Sequence, residues 1–389
     1  MKNRSRGCKN TKLFFTEPLT VDKNMEMVIT AVNCITAVGH NAGMTAASVR
    51  AGISRLEDSN DYYDIEGNPI TAAFIQGISD EENDVTRMRD IAEYCLESLL
   101  EKYFQDETGL EGEVNLLLGA APLSRPGPRY EGESQELVNH LCTIVQKWTK
   151  KVIPQVITSG NSAVIRGIKI AEQLLKENPH CLCIIGGIDS LLALNTLDWF
   201  EEGERLKSGT FGRNQGFSPG EAAGFMLVET KEAALGRKKK ALAKVVGVGL
   251  ANESAPFLSE RPSKGEGLTK ACKTALSESS CDPADIEAVL GDLNGEFFRA
   301  KEWGYAEVRC FGNCNDVRQL WQSADCMGSI GAASGAILMD IAAVGLSREW
   351  IKKYAMVFCS DDEGECGSAV LKSSSSANTK ERGRINFIK

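Results

Sequence analysis

Histidine is scarce: the 389-residue chain has three, His40, His140 and His180, far apart in sequence. Imidazole is the side chain best matched to proton transfer near neutral pH, so chemistry that needs a histidine pair has little to draw on. His40 falls in a glycine-rich turn, His140 in an amphipathic helix over about 135–148, and His180 just ahead of a strand; they read as turn, helix-surface and cap residues. Long apolar runs are missing too. None reaches the roughly 18 residues of a spanning helix, and the basic first residues lack the apolar stretch of a signal peptide. Positive charge is in deficit, with 44 Lys and Arg against 53 Asp and Glu, a net charge of −9 and a pI near 5.2. That balance argues against a nucleic-acid surface or a basic membrane-binding face. Thirteen cysteines form no even framework, which fits a reducing compartment, and the chain reads as cytoplasmic.

What is present is a large amount of foldable chain. The length allows two or three ordinary domains or one two-lobed unit with a substantial core. Lys2, Arg4, Arg6, Lys9 and Lys12 mark residues 1–25 as a basic tail, and the serine run from Ser373 opens a polar tail over 374–389. Residues 26–373 read as globular.

Comparing the chain with itself exposes a duplication. Residues 113–120 (EVNLLLGA) and 285–292 (DIEAVLGD) are each a polar start, an apolar strand-like run and a glycine exit. Downstream of each lies a glycine-bounded helix start, 160–167 (GNSAVIRG) and 328–335 (GSIGAASG), followed by a continuous apolar strand at 181–187 and 354–359. Opening strands at 25–32 and 242–249 complete two α/β halves, 26–235 and 236–373. The basic run near 231–241 reads as a solvated turn between them.

Residues 216–229 (GFSPGEAAGFMLVE) resemble the glycine-rich stretch that follows the active-site region of β-ketoacyl synthases of the thiolase superfamily. The resemblance extends in order over roughly 26–373, through 38–43 (VGHNAG), 186–190 (GGIDS), Asn294-Gly295, 328–335 and a closing hairpin. It implies a five-layered αβαβα thiolase-like fold, an acyltransferase family, and assembly as a homodimer or as a heterodimer with a synthase-like subunit. It does not by itself imply catalysis.

In that family a cysteine at a buried helix N-terminus accepts the acyl group, two histidines serve decarboxylation and oxyanion stabilisation, and a lysine precedes the second histidine. Counted back without a gap from Gly186-Gly187, the cysteine position holds Asn161; aligned on their glycine stretches the histidine positions hold Asn294 and Ser329, and the lysine position five residues before the second holds Ala324. None of the four keeps its chemistry. Asn161 reads as a helix N-cap, and no catalytic residue is expected for condensation. Altered nucleophiles remain as a rival: Ser162, Ser329 or Cys326 in an acyltransferase or hydrolase.

Where the synthases carry a glycine-rich gate, this chain has Asp361, Asp362, Glu363 and Glu365 in its closing hairpin. Four carboxylates there would repel malonyl or phosphopantetheine anions and suit a cationic or peptidic ligand, or else tip a solvated hairpin. Asp292, Glu296, Arg299 and Glu302 fall in the loop and helix facing it, with Arg299 able to pair with one of those acids. No cofactor or metal is expected. The 328–335 segment has the wrong spacing for a dinucleotide loop and no P-loop lysine, and Cys310 and Cys314 lack a second close pair. The expected role is a binding or assembly component, as chain-length factors are in polyketide assembly or as some synthase-like proteins encoded near type VI secretion components resemble. A carrier protein is left open as a partner, and a nucleic acid or a membrane span is not expected.

Overall fold

The short continuous apolar runs become inner strands of one ten-stranded sheet. The computed structural model describes residues 25–78, 84–105, 109–127, 133–209, 212–259, 261–312, 314 and 318–374. The basic tail up to residue 24 and the polar tail from 375 lie outside the described residues.

In chain order the first half comprises β1 (Met27–Thr36), α1 (Ala42–Ala51), a peripheral hairpin β2 (Glu57–Tyr63) and β3 (Pro69–Ala72), α2 (Asp84–Tyr103), β4 (Leu110–Gly119), α3 (Glu133–Gln146), β5 (Thr149–Ile157), α4 (Ala163–Glu177), β6 (Leu182–Ser190), α5 (Leu194–Glu202) and β7 (Glu221–Thr230). After α6 (Lys231–Gly236) come β8 (Ala243–Asn252), α7 (Glu266–Ser279), β9 (Ile286–Gly291), α8 (Phe297–Phe311), β10 (Gln319–Gln322), α9 (Ala324–Met327), α10 (Ser334–Ser347), β11 (Tyr354–Ser360) and β12 (Glu365–Ser373).

Sheet order is β10-β9-β11-β12-β8-β1-β7-β6-β4-β5. Counted outward from the β1–β8 seam, both halves run first strand, fifth, fourth, second, third, so the repeated sequence pattern is a repeated topology. The seam is short and antiparallel, pairing Met27 with Val245, Val28 with Lys244 and Ile29 with Ala243.

Side-chain alternation along the strands builds the layers. On β4, Leu116 and Leu118 join α2 and α3 in one core, while Leu117 points the other way into a second core. That second core lies between the half-sheets, around α4 and α10, and takes Val228 from the first half and Val357 and Leu371 from the second. A third, with Leu268, Cys272, Trp303 and Phe358, seats α7 and α8 on the far face of the second half. The result is the five-layered αβαβα arrangement. Central helix α10 is buried from Ser334 to Leu346, as its near-uniform apolar sequence requires. The exception is Asp340, fully buried with neither carboxylate oxygen hydrogen-bonded; burial pushes its pKa well above the ordinary value.

Two glycines set the starts of the middle-layer helices. Gly160 (φ +48°) and Gly331 (φ +49°) each open a 3-10 turn ahead of α4 and α10. A Cβ on Gly160 would lie 1.9 Å from Asp361 Oδ2, and one on Gly331 would lie 2.1 Å from Asp189 Oδ2. Each carboxylate comes from the other half, so a side chain there would collide across the joint.

The basic run between the halves is not a plain solvated turn. Thr230 caps α6 by accepting from Ala233 N at 3.1 Å. Three of its five cations are engaged: Lys231 pairs with Glu26, Arg237 with buried Glu229, and Lys239 donates to the Tyr103 carbonyl, while Lys238 and Lys240 are exposed.

Candidate functional site

The C-terminal ends of β6, β9 and β11 converge on the start of α4, and the residues there form a buried lattice of ions. Asn161, in the 3-10 turn, donates from Nδ2 to Asp292 Oδ2 at 3.0 Å. The same oxygen accepts from Ser360 N at 3.0 Å and faces Arg299 Nη1 at 3.6 Å. Arg299, on the first turn of α8, donates to the Ser360 carbonyl and, from Nη2, to Asp362 Oδ1 at 2.7 Å. Asp362 Oδ2 accepts from Arg205 Nη1 at 2.7 Å. Arg205 then grips Glu296 with both remaining donors, at 2.7 and 3.0 Å, and Asn294 adds a bond to Glu296 Oε2 at 2.9 Å.

Arg205 is enclosed by rings, with its guanidinium carbon 4.1 Å from the Phe257 centroid, 5.1 Å from Phe200 and 5.5 Å from Phe217. Charge in so dry a setting persists only when paired and hydrogen-bonded. Burial pushes the Asp362 carboxyl up, but Arg299 and Arg205 override it and hold the group below its usual range. Asp292 stays above its usual range because burial outweighs Arg299 and the bonds from Asn161 and Ser360. Asp361 is pushed up to about 6 by burial, against the opposing bond from Glu363 N. Glu302, one turn beyond Arg299, is pushed up to about 7 by burial, opposed by Ser360 and Arg299. It lies 3.9 Å from Cys366 Sγ.

Little space is left. The cavity at the centre holds about 30 Å³ and is bordered by Arg125, Asn161, Asn294, Ser329, Asp361 and Asp362 among others. That is room for a few water molecules. Among the described residues no cysteine or histidine borders it. His140 bonds to Glu93 on α2 at 2.7 Å, the His180 carbonyl accepts from Arg237, and His40 is exposed in the turn after β1.

Several residues read from the sequence therefore meet here: Asn161, Asp292, Asn294, Glu296, Arg299, Ser329, Asp361 and Asp362, with Glu302 directly behind. Others do not. Ser162 Oγ contacts the Ser159 carbonyl and Glu365 Oε1, both at 2.9 Å, and Glu365 is held by Arg166; this trio sits beside the cavity without bordering it. Glu363 is exposed, and neither Cys326 nor Ala324 borders the cavity.

Two expectations need correction. Asn161 is not an N-cap: the 3-10 turn moves the start of α4 to Ala163, and the Asn161 amide is used as a donor to Asp292. The closing hairpin is not a bare acidic tip either, since Asp362 is paired with two arginines and Glu365 with Arg166. The sequence reading missed Arg205, and also the buried pair in which Arg125 Nη2 donates to Asp189 Oδ1 at 2.5 Å while Asp189 Oδ2 accepts from Ala332 N at 2.7 Å.

No protein-family model matches the chain. A stretch of 127 residues is 29% identical to a 3-oxoacyl-[acyl-carrier-protein] synthase 2 of Staphylococcus aureus, covering 30% of each chain. A stretch of 162 residues is 27% identical to the enzyme of that name from Rhizobium meliloti, covering 41% of this chain and 38% of the relative. The matched stretches thus span well under half of these curated relatives. Solved structures match more broadly. The ishigamide ketosynthase/chain length factor superposes with a TM-score of 0.72 at 16% identity, over 90% of this chain and 100% of that one. A ketosynthase from module 6 of the bacillaene synthase of Bacillus subtilis gives 0.73 at 13%, over 90% and 72%. A type II polyketide synthase structure of a ketosynthase bound to the hexaketide, in complex with its acyl-carrier protein, gives 0.74 at 13%, over 90% and 100%.

The fold is that of the ketosynthases. Within this ketosynthase fold, the junction where β6, β9 and β11 meet α4 is occupied by Arg205, Arg299 and their carboxylates. Among the described residues no helix is long and apolar enough to cross a membrane.

Proposed function

We propose that this protein is a ketosynthase-fold binding or assembly component that does not condense acyl groups, and that it works in the cytoplasm beside a synthase-like subunit. The carrying observation is the lattice joining Arg205, Arg299, Asp292, Glu296 and Asp362, which leaves about 30 Å³ at the helix start. A thioester carbonyl and its acyl chain need far more room, since ligand pockets run to about 300–1,000 Å³. The family correspondence agrees, with Asn161, Asn294, Ser329 and Ala324 where the reactive set would stand.

An altered nucleophile finds little support. Ser162 is fully buried, and the carboxylate beside it, Glu365, is already engaged by Arg166, whereas an altered nucleophile needs a base free to take its proton. Ser329 borders the cavity, but no imidazole does. The pairing of a ketosynthase with a chain length factor among the structural neighbours supports a subunit role. The test is incubation with acyl- and malonyl-carrier protein, following carbon dioxide release and ketoacyl product. No release above a protein-free control is expected, and protein-dependent release overturns the reading. Affinity capture from the host then distinguishes a synthase partner from secretion proteins.

A further inference from the structure

Two cysteines outside the ion lattice meet between α7 and α8. Cys272, on α7, is fully buried with Leu268, Ala275, Trp303 and Phe358, and Cys310, near the end of α8, packs half-buried against the same cluster. The Cys272 thiol donates a hydrogen bond to the Cys310 sulfur. Cys310 Sγ also lies 3.9 Å from the Thr269 carbonyl, about one turn before Cys272 on α7. In sequence the neighbouring thiol of Cys310 is Cys314; the fold sets Cys310 against a different helix.

The two thiols are unequal in the way a redox pair requires. The bond from Cys272, aided by the charges of Lys273 and Arg309, outweighs burial and holds Cys310 below the ordinary thiol value, while the same bond and complete burial push Cys272 well up. The thiolate is the nucleophile in thiol oxidation, and it must be within reach of the oxidant. Thr269, Lys273 and Arg309, all neighbours of Cys310, border an open groove of about 670 Å³. Arg309 is held there by donating to Thr269 Oγ1 at 3.2 Å. A small oxidant thus meets Cys310 first, with Cys272 directly behind it.

We propose that Cys272 and Cys310 are a peroxide-responsive dithiol that closes into a reversible disulfide between α7 and α8. The Cys310 thiolate attacks one oxygen of hydrogen peroxide, the O–O bond breaks, and the departing hydroxide takes a proton from solvent to leave as water; Cys310 becomes a sulfenic acid. The Cys272 sulfur then attacks the Cys310 sulfur, the S–O bond breaks, and hydroxide leaves with the Cys272 proton as a second water. Two thiols lose two electrons in all, and one peroxide is reduced to two waters. In a reducing compartment the pair stays open until oxidant rises, and exchange with a dithiol reductant reopens it. Closed, the bridge ties α8, which carries Arg299 and Glu302, to α7. The pair works in the same way whether or not the protein condenses acyl groups.

The test exposes the full, folded chain to a few equivalents of hydrogen peroxide, alkylates the remaining thiols and maps the tryptic peptides. A loss of two hydrogens from the intact mass is expected, reversed by dithiothreitol, with peptide 271–273 joined to the peptide that begins at Cys310. That second peptide also carries Cys314, so the link should persist undiminished in Cys314→Ser. In Cys272→Ala the disulfide should vanish and dimedone should trap Cys310 as its sulfenic acid, roughly tenfold or more above Cys142, a half-buried thiol that burial pushes up. The mapping on the unaltered chain decides the question even where that variant does not fold. Cys272 and Cys310 both remaining alkylatable after peroxide would overturn the proposal. So would a link that is lost in Cys314→Ser, a link from Cys272 to Cys366, its other sulfur neighbour, or a link that forms only in urea-unfolded chain.

Discussion

Replacing Arg299 by methionine keeps much of the side chain's volume and removes one of the two cations that balance the lattice. Asp292 then retains only Asn161 Nδ2 and Ser360 N, and Asp362 retains only Arg205. Breaking a buried ion pair from one side costs about 3–5 kcal/mol, a large share of the 5–15 kcal/mol, roughly, that holds such proteins folded. The loss should depend on pH in a fixed direction. Burial already pushes the Asp292 carboxyl up, and without its cation the folded form holds the proton more strongly than the unfolded chain does. A group with a raised folded pKa contributes its stability below the unfolded value and loses it as pH rises through the folded one. Urea unfolding of Arg299→Met should therefore show a smaller deficit at pH 5 than at pH 8, and adding Asp292→Asn should recover part of the pH 8 loss. A deficit near 1 kcal/mol or less at pH 8, typical of an exposed pair, would refute the reasoning, as would equal deficits at both pH values.

Glu302, pushed up from 4.5 to about 7 by burial, should make the protein lose about 3 kcal/mol as pH rises through that interval; Glu302→Gln should flatten the slope of the urea midpoint against pH. Asp340→Asn should raise the urea midpoint at pH 8 and leave it unchanged near pH 3, because the unpartnered acid must take up a proton to stay buried above its unfolded pKa. Gly160→Ala should destabilise by about 1–3 kcal/mol, the usual cost of a side chain forced into the left-handed region, and more if the Asp361 carboxylate cannot move aside. Ser162→Ala should leave thioester reactivity unchanged in a hydrolysis assay, since the hydroxyl does not border the cavity.

The fold was legible because the inner strands β4, β6, β9 and β11 each carry a short continuous apolar run. The repeats at 113–120 and 285–292, and at 181–187 and 354–359, occupy equivalent places in the two halves. All of the ion lattice but Arg205 was legible: Asp292 and Asp362 stand as charges just past strands, and Glu296 and Arg299 open the helix after β9. Arg205 was hidden. It follows Glu201, Glu202 and Glu204 in a stretch that reads as a solvated helix end, and its partner Glu296 is 91 residues away. Only Phe200 and Phe217 nearby in sequence hint that this cation is enclosed. The role of Asn161 was misread because a 3-10 turn and an α-helix begin with the same residue types, and the two-residue shift in helix start changes it from acceptor to donor.

The central claim is that buried charge has replaced reaction space at the helix start, and intact mass after exposure to acyl and malonyl thioesters of carrier protein and coenzyme A tests it most directly. An unchanged protein mass is expected under conditions in which an active ketosynthase control gains one acyl group. A stoichiometric acyl adduct mapped to Ser329 at the cavity, or to Ser162 beside it, would contradict the account.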